Sequence, residues 1–175
     1  MPSPLPGQSS HALDSAIRTV YEPAGMQIAD GPRSEAESGD YGAACFCLNG
    51  RQVAFRVAKT TPKKVGHFVT LWKRPNPGDD IAPLDGDDGV DFVIVHVEDE
   101  TNTGQFIFSR ATLLTKGIMS QNGVGGKRAT RIYAPWVQPS VRSALAAQKW
   151  QLNSFLEFPN QGAVDLRRAN ELLAH

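Results

Sequence analysis

Apolar positions at Leu13, Ile17 and Val20, spaced four and three apart, predict an amphipathic helix over residues 11–23 that ends at a proline. Residues 29–40, ADGPRSEAESGD, have no periodicity and read as a polar connector. A strand over 41–48, the dipeptide Asn49-Gly50 and a returning strand over 52–59 form a hairpin signal. A loop over 60–66 then leads to a third strand over 67–73, where HFVTLW alternates polar and apolar. After an acidic loop over 75–89, the run VDFVIVHV at 90–97 is apolar enough for a central strand covered on both faces. A turn over 98–104 and a paired strand over 105–108 follow, and Ser109 caps a short helix through Leu114, stopped at Gly117. QNGVGGK at 121–127 reads as a mobile glycine loop, and 129–133 as a last short strand. A helix is predicted over 140–156, capped by Ser140 or Ser143, with Leu145, Gln148, Leu152, Phe155 and Leu156 near its inner face. A second helical pattern, 164–173, looks peripheral. Strands and helices in this order predict an α+β fold with antiparallel hairpins in a mixed central sheet flanked by helices.

At 175 residues and 41% hydrophobic composition the chain is long enough for one core. It divides into a tail and helix (1–28), the connector (29–40), a core (41–158) that forms one domain with that helix, and a peripheral tail (159–175). No apolar run approaches a membrane span and the first ten residues lack the features of a signal peptide, so a cytoplasmic protein without membrane contact is expected. Cys45 and Cys47, two apart on a strand, sit about 7 Å apart and read as buried thiols. Nothing has zinc-ligand spacing, and QNGVGGK lacks the G-x-x-x-x-G-K-[ST] pattern of a phosphate loop, so neither metal nor cofactor is expected.

The formal net charge of zero conceals a strong segregation. Residues 41–78 contain no acid but carry Arg51, Arg56, Lys59, Lys63, Lys64, Lys73 and Arg74; residues 101–156 contain no acid but carry Arg110, Lys116, Lys127, Arg128, Arg131, Arg142 and Lys149. Nine of the eighteen acids fall between the two blocks, over 79–100. If the blocks fold together they present an anion-binding face. Aromatic side chains interleave with the charges: Trp72 precedes Lys73-Arg74, Tyr133 and Trp136 follow Arg131, and Trp150 follows Lys149. Exposed rings beside cations suit unpaired bases, and Trp136, beside Pro135, is the leading stacking candidate.

The ordered blocks YGAACFCLNGRQVAFRVAKTTPKKVGHFVTLWKRP, DFVIVHV, GQFIFSRATLLTKGIMS, GKRATRIYAPW and AQKWQLNSFLEF resemble the MepB-like family over roughly residues 38–158. The family takes its name from a gene beside a multidrug efflux pump, a context that specifies no chemistry. A second resemblance is to the PD-(D/E)XK nuclease core, in which an acid near the first hairpin strand and an E-x-K on the second hold Mg²⁺. Asp40 stands at the first of these positions and Lys59, before Thr-Thr-Pro, at the last. Val57 stands where the second acid belongs and offers no oxygen ligand. Glu35 or Glu37 is the available substitute for a migrated acid.

These readings predict a non-catalytic nucleic-acid-binding protein on a restriction-endonuclease-like scaffold, favouring RNA or single-stranded DNA over duplex. The candidate contacts are Arg51, Arg56, Lys59, Lys63, Lys64, Lys73, Arg74, Lys127, Arg128, Arg131, Tyr133 and Trp136. Asp40, Val57 and Lys59 are the vestigial nuclease positions. Arg56 and Lys59, an odd number apart, face opposite ways on a regular strand, and Lys59 is the better candidate to line a cleft. The alternatives are a metal-dependent nuclease with a migrated acid, and a protein-interaction or small-ligand module using the acidic loop.

Overall fold

The computed structural model describes residues 11–174. Helix α1 (His11–Ala16) runs into a π-helical turn, Ile17–Tyr21. The strands β1 (Ile28–Ser34), β2 (Ala44–Leu48) and β3 (Arg51–Val57) then form an antiparallel meander. Asn49 and Gly50, at φ 50 and 77, supply the two left-handed residues that a tight hairpin turn requires. Two short pieces follow: β4 (Lys59–Thr61) with β5 (Lys64–Thr70), and β6 (Trp72–Lys73) with β7 (Ala82–Pro83). They occupy the crossover that lets β8 (Phe92–Glu98) return parallel to β3. β9 (Thr103–Ser109) pairs antiparallel with β8 and leads into α2 (Arg110–Thr115), capped by the Ser109 hydroxyl. β10 (Ala129–Ile132), α3 (Arg142–Gln151), β11 (Phe155–Phe158) and α4 (Leu166–Leu172) complete the chain.

The main sheet has the order β1-β2-β3-β8-β9-β11, and a second sheet the order β10-β5-β4. Strand alternation gives the main sheet two apolar faces. Phe55, Phe92 and Ile94 pack with Leu13, Val20 and Ala169 of the helical layer. Val93, Val95 and Phe106 pack with Val69 and Ile132 of the second sheet. Both faces being covered explains the unbroken apolar run in β8, which is the strand the sequence marks as central. The mixed-sheet α+β architecture is thus the one the hydrophobic pattern predicts.

Several elements differ from that pattern. Residues 28–34, assigned largely to a connector, are the edge strand β1, paired through Ile28↔Leu48 and Ser34↔Ala44 with an irregularity between Ala29 and Arg33. Most of its side chains are exposed, so its backbone supplies the pairing and no apolar period betrays it. The strand predicted over 52–59 stops at Val57; Ala58 still bonds the His96 carbonyl, and the chain then leaves the main sheet. Lys59 therefore belongs to the second sheet, and so does the strand predicted to begin at His67. The predicted loop over 60–66 shrinks to a turn at Pro62-Lys63.

The helix predicted through Leu156 ends at Gln151, passes through a short 3-10 turn and becomes β11. A helix would set Phe155 and Leu156 on one side, whereas the strand sends Phe155 to one core and Leu156 to the other. The tail helix is less peripheral than its composition suggests, since Ala169 is fully buried in the helical layer. Among the described residues, no helix is long and apolar enough to cross a membrane.

Candidate functional site

The second sheet presents one face to the core and one outward. Lys59 on β4, Phe68 on β5 and Arg131 on β10 are register partners, so they form a single cross-strand row. Val69 and Ile132, one residue away, point into the core, which fixes the row on the outer face. The Lys59 Nζ lies 4.7 Å from the centroid of the Tyr41 ring, and the Arg131 guanidinium 5.8 Å from that of Phe68. The Tyr41 and Phe68 rings meet edge to face at 6.2 Å. Arg131 also donates to the Thr61 hydroxyl at 2.6 Å and to the Val65 carbonyl at 3.4 Å, so its plane is held.

Tyr133 extends this face because residue 66 is glycine. A Cβ at Gly66 would lie 2.7 Å from the Tyr133 ring, and its φ of +91° is one that side chains rarely adopt. Lys63 and Lys64 stand exposed at the β4–β5 turn. Among the described residues, Lys59, Lys63, Lys64 and Arg131 make no ion pair with a carboxylate. Burial, reinforced by the neighbouring charge of Asp40, pushes the Tyr41 phenol up, so it stays a neutral ring beneath the Lys59 ammonium.

Other members of the predicted basic set lie elsewhere and are engaged. Arg56 is buried beneath a cleft of about 640 Å³, where its guanidinium meets Glu35 at 3.1 Å and donates to the Thr70 and Phe55 carbonyls. Burial pulls its pKa down and the Glu35 carboxylate opposes that. Lys73 pairs with Asp88 in the same cleft, while Arg74 pairs with Glu37 at 2.8 Å and bonds the Asp79 carbonyl. Trp72 donates to Glu37 at 3.0 Å, and with Arg74 it holds that carboxyl below its usual range. Arg51 is exposed beside the Asn49-Gly50 turn, at the opposite end of β3 from Val57. Lys127 and Arg128 are exposed just before β10, outside the Lys59–Phe68–Arg131 row.

Trp136 is not a free stacking platform: its ring is half-buried and packs edge to face on Phe155 at 5.7 Å. Nor is 121–127 an open glycine loop. The Asp85 carboxylate accepts from the Gly123 amide at 2.9 Å, the Asp87 amide at 3.0 Å and the Ser120 hydroxyl at 2.7 Å, donors that pull its pKa down to about 2.

Of the vestigial nuclease positions, Asp40 and Lys59 both lie beside Tyr41, and Val57 is set apart. Asp40 is exposed in a 3-10 turn beside Tyr41, Lys59 rests on that tyrosine, and Val57 packs in the helical layer. Glu35 and Glu37, the substitute acids, are committed to Arg56, Arg74 and Trp72. Among the described residues no three of His, Cys, Asp or Glu cluster as a metal site. Tyr41, Phe68 and Thr61 were absent from the sequence-based site. Strand parity was the available signal, because Phe68 must face away from Val69.

Fold and site together define an α+β protein whose mixed sheet carries a small antiparallel sheet with a cationic, aromatic outer face. The MepB-like family model matches residues 35–157, and the chain belongs to the MepB-like family. A crystal structure of MepB superposes with a TM-score of 0.71 at 32% identity, covering 77% of this chain and 89% of that one. A bacterial homing endonuclease superposes with a TM-score of 0.44 at 18% identity, covering 81% of this chain and 86% of that one. No curated protein matches the sequence.

Proposed function

We propose that the outer face of β4, β5 and β10 binds single-stranded nucleic acid, RNA or DNA, without cleaving it. The observation that carries this reading is the Lys59–Phe68–Arg131 row, in which two cations without carboxylate partners flank an aromatic ring. Phosphates are met by unpaired cations, and open base faces stack on rings at sequence-independent gain. A closed duplex offers the first contact and withholds the second. Tyr41 and Tyr133 lengthen the stacking surface on either side, and Lys63 and Lys64 add charge at the turn. The non-catalytic part of the reading is supported by Val57, whose side chain brings no oxygen ligand, and by the engagement of Glu35 and Glu37 in ion pairs.

Anisotropy titrations of labelled single strands and duplexes over a range of salt test the proposal. Engagement of about three phosphates gives a slope of log K against log salt near −2 for single strands, and Lys59→Ala shallows it by about 0.7. Equal affinity for duplex and single strand, or an unchanged slope in Lys59→Ala, overturns the reading. Cleavage in Mg²⁺ or Mn²⁺ that disappears with Asp40→Ala overturns its non-catalytic part.

A further inference from the structure

Two buried polar side-chain atoms lack a partner among the described residues, Nδ1 of His67 and Nε1 of Trp136. Both side chains line one pocket of about 420 Å³, between the β4–β5 hairpin and the segment that follows β10. Buried polar atoms are nearly always paired, so two exceptions in one pocket call for an occupant.

Their chemistry is complementary. Nε2 of His67 lies 3.4 Å from the Glu98 carbonyl oxygen, which only accepts, so the ring proton sits on Nε2 and Nδ1 offers a lone pair. Burial keeps the ring neutral by pushing its pKa down. The indole N–H of Trp136 only donates. The side chains that line the pocket thus carry one unpaired acceptor and one unpaired donor. A fitting partner presents a donor and an acceptor side by side on a flat edge, as every nucleobase does. The Asp99 carboxylate, which also lines the pocket, accepts from the Thr101 and Asn102 amides. Thr61, Lys64 and Gly66 belong both to this pocket and to the strands of the cationic face.

We propose that this pocket takes one nucleobase turned out of a bound single strand, its acceptor meeting the Trp136 N–H and its donor the His67 Nδ1. The inference rests on the single-strand reading of the adjoining face. Both nitrogens are closed to solvent in the unbound protein, so admission of the base requires the loop at 135–138, which Gln148 holds through the Ala134 and Val137 carbonyls, to move aside.

The test compares three single strands on the wild-type protein: one wholly abasic, one with a single thymine in that abasic background, and one with N3-methylthymine in its place. The methyl group removes the donor and leaves the stacking face intact. The thymine strand should bind about tenfold tighter than the methylated one, the size of one buried hydrogen bond. Trp136→Phe, which retains a ring against Phe155, should weaken the thymine strand about fivefold and leave the abasic strand unchanged, with thermal melting as the check on folding. If wild-type protein binds thymine and N3-methylthymine strands equally, the pocket holds water only and the inference is wrong, while salt-dependent binding of the abasic strand still supports the face. If no strand binds, both readings fail.

Discussion

Arg51 apart, the basic residues of the 41–78 block divide into two populations that a linear reading cannot separate. In the cleft, Arg56, Lys73 and Arg74 are all neutralised, by Glu35, Asp88 and Glu37. On the hairpin face, Lys59 and the incoming Arg131 have rings and a hydroxyl for neighbours, Lys63 and Lys64 are exposed, and none of the four has a carboxylate partner. Absence of acids along the sequence is therefore a poor guide to absence of acids in space. The partners of the cleft come from just beyond β1 and from the loop before β8, segments that flank the acid-free block in sequence and fold back over it. The hairpin escapes because Ala58 takes the chain off the main sheet before Lys59.

The largest expected effect breaks the cleft half of this comparison. Glu35→Ala leaves the Arg56 guanidinium buried at 2% exposure with only carbonyl partners. Orphaning a buried charge costs about 3–5 kcal/mol when both partners are buried, and the partial exposure of Glu35 lowers this to about 2–3. Urea unfolding should show that loss, with single-strand affinity unchanged. An unaltered urea midpoint would mean that the two carbonyls satisfy Arg56 and that the ion pair is incidental.

Next in size is the contrast in binding. The double variant Lys59→Ala with Arg131→Ala should weaken single-strand binding by about tenfold or more, each lost phosphate contact being worth on the order of 1 kcal/mol. Its stability should stay within about 0.5 kcal/mol of wild type, as for most surface changes. Lys73→Ala, whose ammonium already faces Asp88, should leave affinity unchanged. Equal losses from the two sets would place the bound strand across both surfaces and erase the distinction drawn between them.

The sequence made the main sheet legible where period and turn chemistry were strong. The run 90–97 read as a central strand, observed as β8 at Phe92–Glu98, and Asn49-Gly50 as a hairpin, and both stand. It failed where an element is held by backbone alone, as in β1, or where a helical period passes into a strand without a breaker, as at Leu152 to Phe155. Of the site, Lys59 and Arg131 were legible by charge, but the parity argument for Arg56 and Lys59 assumed one continuous strand; the strand ends at Val57, and it is Arg56 that lines the cleft while Lys59 joins the second sheet. The crossover that brings β10 beside β5 was not legible, because no local signal specifies which strands pair across 60 residues of chain. Tyr41 was not legible for the same reason, whereas Phe68 could have been found by strand parity with the buried Val69.

Acid offers a third way to divide the two regions. His67 on β5 and His96 on β8 are both buried, and burial lowers both pKa values below the usual 6.5, with the Glu98 carbonyl and the charge of Asp99 opposing at His67 and the Glu98 carboxylate at His96. Gln105 bridges His96 to the Tyr21 hydroxyl, so His96 has no spare acceptor for a second proton. The unfolded chain takes up protons first as pH falls through 6.5. Stability is therefore fully present above that value, declines below it, and levels off once pH is under the folded pKa. Urea midpoints at about pH 7.5 and about pH 5.5 should differ in that direction, and amide exchange in β4 and β5 should quicken before that of β2 and β3. A flat midpoint across the range would show that neither histidine is held neutral.

The smallest effect sharpens the comparison from the cleft side. Arg74 and Glu37 are each more than a third exposed on their side chains, so their ion pair is screened by solvent although its geometry is good at 2.8 Å. Arg74→Gln should leave the urea midpoint unmoved. It also exposes a carboxylate at the mouth of the cleft, with the Trp72 N–H as its remaining partner. That uncovered charge repels a polyanion, so if a bound strand passes within a Debye length of the cleft, roughly 10 Å at moderate salt, affinity should fall slightly at low salt and recover at high salt. If the strand keeps to the hairpin face, affinity should be indifferent to Arg74→Gln at every salt concentration, and that indifference is the expected result. A loss persisting at high salt would require a direct contact from Arg74 and would return the cleft to the binding surface.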